Sequence, residues 1–154
     1  MNKLIKIYTD GSSIGNPGPG GYGIVMLTED GEYKKEFSQG FKITTNNRME
    51  LLAVIIGLEN LKYQNCNVKI YTDSKYVSDA VEKGWLFDWE KKDFKNKKNP
   101  DLWRRFLEIY KNHKIKFKWI KGHNNDFYNE RCDFLANLAA KNSNLIEDKG
   151  YTIN

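Results

Sequence analysis

Four carboxylates stand where they could work together: Asp10, Glu50, Asp73 and Asp133. Asp10 and Asp73 each end a copy of one pentapeptide, Lys6-Ile7-Tyr8-Thr9-Asp10 and Lys69-Ile70-Tyr71-Thr72-Asp73. Each copy alternates apolar and polar residues, is rich in β-formers and stops beside turn or helix-start residues, so both read as strands. A helical segment between them makes a right-handed crossover and hence parallel strands. As neighbours, the strands would set their aspartates roughly 5 Å apart at the carboxyl edge of the sheet, where open α/β sheets bind ligands. Carboxylates that close repel unless a proton or a cation lies between them. Glu50 and Asp133 fall in the first turns of helices that lead away from the same edge. A site built of carboxylate oxygens alone suits Mg²⁺ or Mn²⁺ rather than zinc. Two such ions about 4 Å apart can clamp the attacking and leaving oxygens of an in-line phosphoryl displacement. The chemistry indicated is metal-dependent cleavage of a phosphodiester.

Each acid also has a local explanation. Asn47 and Glu50 have the spacing of a capping box. Asp73 could cap the helix that begins at Ser74, and Asp133 could answer a helix dipole. The explanations coexist, because a residue near a helix start also lies near the sheet edge.

The elements that would hold these acids follow from the chain in order. Gly11 to Gly21 contains five glycines and two prolines and predicts a loop. It lacks the Gly-Lys-Ser/Thr ending of a phosphate loop. Either it is a tight strand connection, or it brings bare backbone close to a ligand. Tyr22 to Thr28 and Tyr33 to Phe41 read as strands turning at Asp30-Gly31. Arg48 to Lys62 has helical periodicity, with Glu50, Val54, Gly57 and Leu61 on one stripe, which points Glu50 toward the sheet. Ser74 to Lys83 is a second helix, and a third starts at Asn99-Pro100-Asp101 with Asp101 as its cap, running to about His113. Ile115 to Ile120 is the last strand. A polar loop carrying His123 leads to a final helix from Asn129 to about Lys141. The polar residues 142–154 are expected to be a loosely held tail.

With 154 residues, 40% of them hydrophobic, the chain suits one globular domain, residues 1–141, followed by that tail. No apolar run approaches the roughly 20 residues of a membrane helix, and the N-terminus does not have the pattern of a signal peptide. Cys66 and Cys132 form no metal spacing and no disulfide framework. A cytoplasmic monomer is the expectation. The net charge of +5 favours a polyanionic partner. It is concentrated in Lys83 to Lys121, where 13 Lys and Arg face 5 Asp and Glu. Trp85, Phe87, Trp89, Phe94 and Trp103 are interleaved there, the combination that grips nucleic-acid backbone. The alternative is a small apolar core under the lysines.

Five motifs occur in order: Tyr-Thr-Asp-Gly-Ser with Gly-Asn-Pro-Gly-Pro-Gly-Gly, Thr-Thr-Asn-Asn-Arg-Met-Glu-Leu, Tyr-Thr-Asp-Ser-Lys-Tyr-Val, Trp-Ile-Lys-Gly-His and Asn-Glu-Arg-Cys-Asp. Together they resemble bacterial ribonuclease HI, a type 1 ribonuclease H. The resemblance spans about Lys3 to Lys141. It implies an α/β ribonuclease H-like fold, a five-stranded mixed sheet flanked by helices. It also implies hydrolysis of the RNA strand of RNA–DNA hybrids with two Mg²⁺ ions (Mn²⁺ a possible substitute), leaving 5′-phosphate and 3′-hydroxyl ends. By matching motif, Asp10, Glu50, Asp73 and Asp133 correspond to the family's metal-binding acids, and His123 to its loop histidine. Gly11, Ser13, Asn16, Asn46 and Asn47 fall where the family contacts the hybrid. Thr45 matches a residue at a DNA phosphate, and Trp85 one lining the DNA-strand groove. The basic segment between Trp89 and Trp103 is shorter than in the best-known bacterial members, and the loop after His123 lacks the usual glycine. Two rivals are a non-catalytic hybrid-binding module and a 3′–5′ exonuclease. The second needs an Asp-x-Glu pair on the first strand, where this chain has Asp10-Gly11-Ser12.

Overall fold

The structure is a computed structural model and describes residues 4–122 and 124–152. Its elements are β1 (Leu4–Ser13), β2 (Gly18–Thr28), β3 (Lys34–Thr44), α1 (Asn46–Glu59), β4 (Asn67–Thr72), α2 (Lys75–Glu82), α3 (Trp85–Lys91), α4 (Pro100–Tyr110), β5 (Lys114–Trp119) and α5 (Phe127–Ala140). They form a five-stranded sheet in the order β3-β2-β1-β4-β5. The meander β1-β2-β3 is antiparallel, whereas β4 runs parallel to both β1 and β5. The two pentapeptide copies are therefore parallel, as the helix between them predicts, and adjacent, as the family resemblance implies.

Strand alternation sends successive side chains to opposite faces of the sheet. Ile7, Ile24, Val68, Ile70, Ile115 and Phe117 face one side and bury against α1 and α4. Tyr8, Val25 and Leu27 face the other and pack against Cys132 and Leu135 of α5. Full burial of a side chain such as Ile7 or Leu51 contributes roughly 1.5–3 kcal/mol, so the larger cluster dominates stability.

Two close approaches set the depth of the helices. A Cβ on Gly11 would come under 3.0 Å of the backbone of Met49 and Glu50. One on Gly23 would do the same at the carbonyl of Cys132. With no side chain there, α1 and α5 settle directly onto the strand ends near Asp10, which pairs with Gly23 across β1 and β2.

Several elements depart from the sequence expectation. The glycine-rich stretch is mostly strand, with β1 extending to Ser13 and β2 beginning at Gly18, because pairing with neighbours outweighs glycine's weak strand preference. Helix α4 is capped at Asn99 rather than Asp101, and Asp101 instead bonds Arg48. Helix α5 starts two residues early, with the Asp126 side chain accepting from the amide of Asn129 at 3.0 Å.

The interleaved aromatics are largely core. Phe94 and Trp103 are buried in the main cluster with Phe106, and Trp89 packs against it. Trp103 directs its indole N–H to Tyr76 at 2.9 Å. Of the five, Trp85 is the exposed one, at 45%. Charge pattern alone could not separate the side chains under the lysines from those beside them.

The tail is not loose. Residues 142–152 return to the sheet, where the amide of Lys42 donates to Ile146 and the amide of Ile146 to Gly40. Asp148 is buried and accepts from Arg48 Nε and from Thr44 Oγ1, both at 2.7 Å. Arg48, itself 1% exposed, also forks onto Asp101 at 2.9 and 2.8 Å. A polar tail sequence gives no sign that a buried guanidinium awaits it a hundred residues earlier.

Candidate metal centre

Asp10, Glu50 and Asp73 each present a carboxylate oxygen within 4.8 Å of the other two. The placement follows from the elements. Asp10 lies near the end of β1 and Asp73 directly follows β4, so both continue the register in which Tyr8 pairs with Tyr71. Glu50 is one turn into α1, pressed to Asp10 by the close approach at Gly11.

The local alternatives for these acids are met by other residues. Thr45, not Asn47, caps α1 by accepting from the amide of Arg48 at 3.2 Å. Ser74, not Asp73, caps α2 by accepting from the amide of Val77 at 3.3 Å. Glu50 and Asp73 are thus free of capping work. Among the described residues, Glu50 Oε1 is buried and has no hydrogen-bond partner. A buried carboxylate oxygen left without a partner beside two further carboxylates has the chemistry of a cation ligand.

Electrostatics point the same way. Burial first, then the charge of Asp73, lifts Asp10 to about 8. Burial, followed by Asp10 and Asp73, raises Glu50 well above the ordinary carboxylate range. Without a cation the cluster must hold protons; a divalent ion would replace them. The all-oxygen donor set fits a hard ion of the Mg²⁺ or Mn²⁺ kind.

Asp133 adjoins Asp10, close enough to raise its proton affinity, but stands outside the tight trio. Asn137, one turn on in α5, donates to its Oδ1 at 3.1 Å, and Ser12 Oγ donates to Asn137 Oδ1 at 3.1 Å. This brace was not among the sequence candidates, although the four-residue spacing of Asp133 and Asn137 is a legible signal. Trp119 was also missed: its indole N–H bonds the backbone carbonyl of Asp73 at 2.9 Å. Gly122 lies so close that a Cβ there would meet the Asp73 carboxylate at 2.7 Å. The expectation placed on His123 falls outside the described residues.

The remaining candidates divide into two groups. Ser13, Asn16 and Asn46 are knitted together, with Ser13 N–H and Oγ donating to Asn46 Oδ1 and Asn46 N–H to Asn16 Oδ1. With Gly11, Thr45 and exposed Asn47 they form one polar rim beside the acids. Trp85 opens α3, which packs against α2, with the Lys83 ammonium 5.2 Å from its ring centre. It borders a groove of about 570 Å³ that Trp89, Lys92, Lys95 and Lys97 also line.

Comparison with known proteins decides the family. The RNase H family model matches residues 2–141. This chain belongs to the ribonuclease H family. It is 56% identical over 148 residues to a Ribonuclease H of Desulforamulus reducens, covering 93% of this chain and 91% of that one. A Ribonuclease H of Trichodesmium erythraeum is 51% identical over 152 residues, covering 96% and 95%. Among solved structures, LC9-RNase H1, described as a type 1 RNase H with the type 2 active-site motif, superposes with a TM-score of 0.82 at 30% identity, covering 98% of this chain and 80% of that one. LC11-RNase H1, solved in complex with an RNA/DNA hybrid, gives 0.68 at 30% identity, covering 88% and 96%. The five-stranded mixed sheet is thus the ribonuclease H sheet, and the acid trio sits on its carboxyl edge. Among the described residues no helix is long and apolar enough to cross a membrane.

Proposed function

We propose that this protein is an endoribonuclease that hydrolyses the RNA strand of RNA–DNA hybrids, leaving 5′-phosphate and 3′-hydroxyl ends. The observation that carries the reading is the Asp10–Glu50–Asp73 trio, whose oxygens converge within 4.8 Å in a chain of this family. A relative solved on an RNA/DNA hybrid supports the substrate class.

Asp10, Glu50 and Asp73 would hold one Mg²⁺ ion, and Asp10 with Asp133 a second. When bound, such ions supply an activated water and neutralise charge on the leaving oxygen. The chain's own residues do the rest. Glu50 and Asp10, which burial and mutual repulsion leave inclined to hold protons, would give them up to such ions. Asn137 holds Asp133 turned toward Asp10. The rim of Gly11, Ser13, Asn16, Asn46 and Asn47 offers backbone and amide groups to 2′-hydroxyls and base edges, the contacts by which a protein tells RNA from DNA. Thr45 and Trp85 would contact the DNA strand. His123, on the loop after β5, would assist proton transfer or product release.

A pure binding module would have no use for negative charge massed against phosphates. The deciding experiment incubates the protein with labelled RNA–DNA hybrid, duplex RNA and duplex DNA, with Mg²⁺ or with chelator. Cleavage confined to the RNA of the hybrid, and only with the metal, is expected; cutting of duplex DNA, or of hybrid in chelator, would overturn the assignment.

A further inference from the structure

The face of the sheet that carries the acids does not stop at them. Helix α5 packs on β1, β2 and β3 on this side. On the same face β4 presents Lys69 and Tyr71, and β5 presents Lys114, Lys116 and Lys118, since Val68, Ile70, Ile115 and Phe117 point into the main core. The three β5 lysines are exposed.

Register turns these residues into rows. Lys6 pairs with Lys69, and Lys69 with Lys116, giving three lysines side by side on adjacent strands. The next row toward the carboxyl edge is Tyr8, Tyr71 and Lys118, with the tyrosine rings stacked at 4.4 Å. The row after that begins with Asp10 and Asp73. Like charges directly opposite on neighbouring strands are destabilising, and strands about 4.8 Å apart keep all three ammonium groups within a Debye length of roughly 10 Å. Among the described residues no ion pair engages Lys6, Lys69, Lys114, Lys116 or Lys118. The Lys69 ammonium instead lies 5.3 Å from the Tyr71 ring centre.

Lys69 lies four positions before Asp73, roughly 13 Å along the strand. That is about four steps of a stacked duplex at roughly 3.4 Å each. From charge complementarity and from continuity with the acid edge, we infer that the Lys69–Lys116–Lys118 face is a second phosphodiester track, holding the hybrid several base pairs beyond the reacting phosphate. The inference rests on the proposed activity and extends it to a surface outside the groove that Trp85 borders. A row of adjacent like charges costs stability in the free protein and is compensated when phosphates lie across it.

The test uses the full chain and its triple variant Lys69→Gln/Lys116→Gln/Lys118→Gln. Substrates are hybrids with cleavage confined to one phosphate by a short ribonucleotide stretch, ending two or ten base pairs beyond it on each side in turn. The variant should cleave the short-ended hybrids as the parent does. On one side only, the ten-base-pair extension should lower KM for the parent and not for the variant, a difference of about tenfold near roughly 0.1 M salt. The slope of log affinity against log salt for the long hybrid should fall by about 2 to 3. The Lys→Arg triple counterpart should match the parent. An unchanged slope overturns the track, as does an equal loss on short and long hybrids or the same defect in the arginine variant. Failure of the parent to cut any hybrid would instead strike the proposed activity.

Discussion

Asp10 and Asp73 end identical pentapeptides that lie side by side in parallel, residue matched to residue from Lys6 with Lys69 to Tyr8 with Tyr71. The repeat thus delivers two carboxylates to one spot on the sheet edge, where Glu50 joins them. Crowding of this kind has consequences that can be measured.

Asp10→Asn should lower hybrid cleavage in Mg²⁺ by at least about 10³-fold, corresponding to some 4 kcal/mol of transition-state stabilisation. Its thermal midpoint in chelator should equal or exceed that of the parent, because one of three repelling carboxylates is gone. Near-parental turnover, read from initial rates on labelled hybrid, would remove Asp10 from the centre.

The metal-free protein should lose stability as pH rises. Asp10 is lifted to about 8 by burial and by Asp73, so the folded state binds a proton that the unfolded chain releases near the ordinary carboxylate range. The stabilisation is fully present below that range and disappears as pH climbs through it toward 8. Melting in chelator from pH 4.5 to 8.5 should show this decline. Added Mg²⁺ should raise the midpoint more at the alkaline end, where it no longer competes with protons. A flat profile would contradict the crowding.

Asn137→Ala should leave the fold intact yet raise the Mg²⁺ concentration for half-maximal rate by about 10- to 100-fold, the usual cost of removing a residue that orients a metal ligand. Asn137→Asp is a poor substitute because it adds charge; Asn137→Gln should recover part of the loss. A metal titration of initial rates distinguishes this brace from ordinary helix packing, which would move the melting midpoint instead.

Gly11→Ala drives a methyl into the backbone of Met49 and Glu50. The expected cost is about 1–3 kcal/mol in urea unfolding, together with a higher Mg²⁺ requirement because Glu50 is pushed from Asp10. Loss of stability without change in metal response would separate the packing role from the site.

Asp148→Ala leaves Arg48, 1% exposed, with Asp101 as its remaining carboxylate. Breaking a buried pair from one side costs about 3–5 kcal/mol, and deleting residues 142–154 should cost at least as much. Burial pushes Asp101 up, but hydrogen bonds from Arg48 outweigh it and hold its carboxyl below the usual range. Part of this stability should therefore vanish in acid, as pH falls through that lowered value.

The strands, their alternation and the parallel placement of the repeated pentapeptide were legible because period and punctuation are local properties of the chain. So was Glu50, whose place on an apolar stripe already turned it toward the sheet. The sequence did not reveal which side chain caps which helix: Thr45 and Ser74 took the work that Asn47 and Asp73 were equally suited to do. Nor could it tell that Phe94 and Trp103 belong to the core, since lysines neighbour them in sequence whichever way the rings point. The docking of the tail by Arg48 and Asp148, the brace from Ser12 through Asn137 to Asp133, and the lysine row across three strands all join residues far apart in the chain. Such pairings exist only once strand register and helix depth are set, and a linear pattern carries no record of either. Local preference chose the elements; close packing at Gly11 and Gly23 decided which side chains meet.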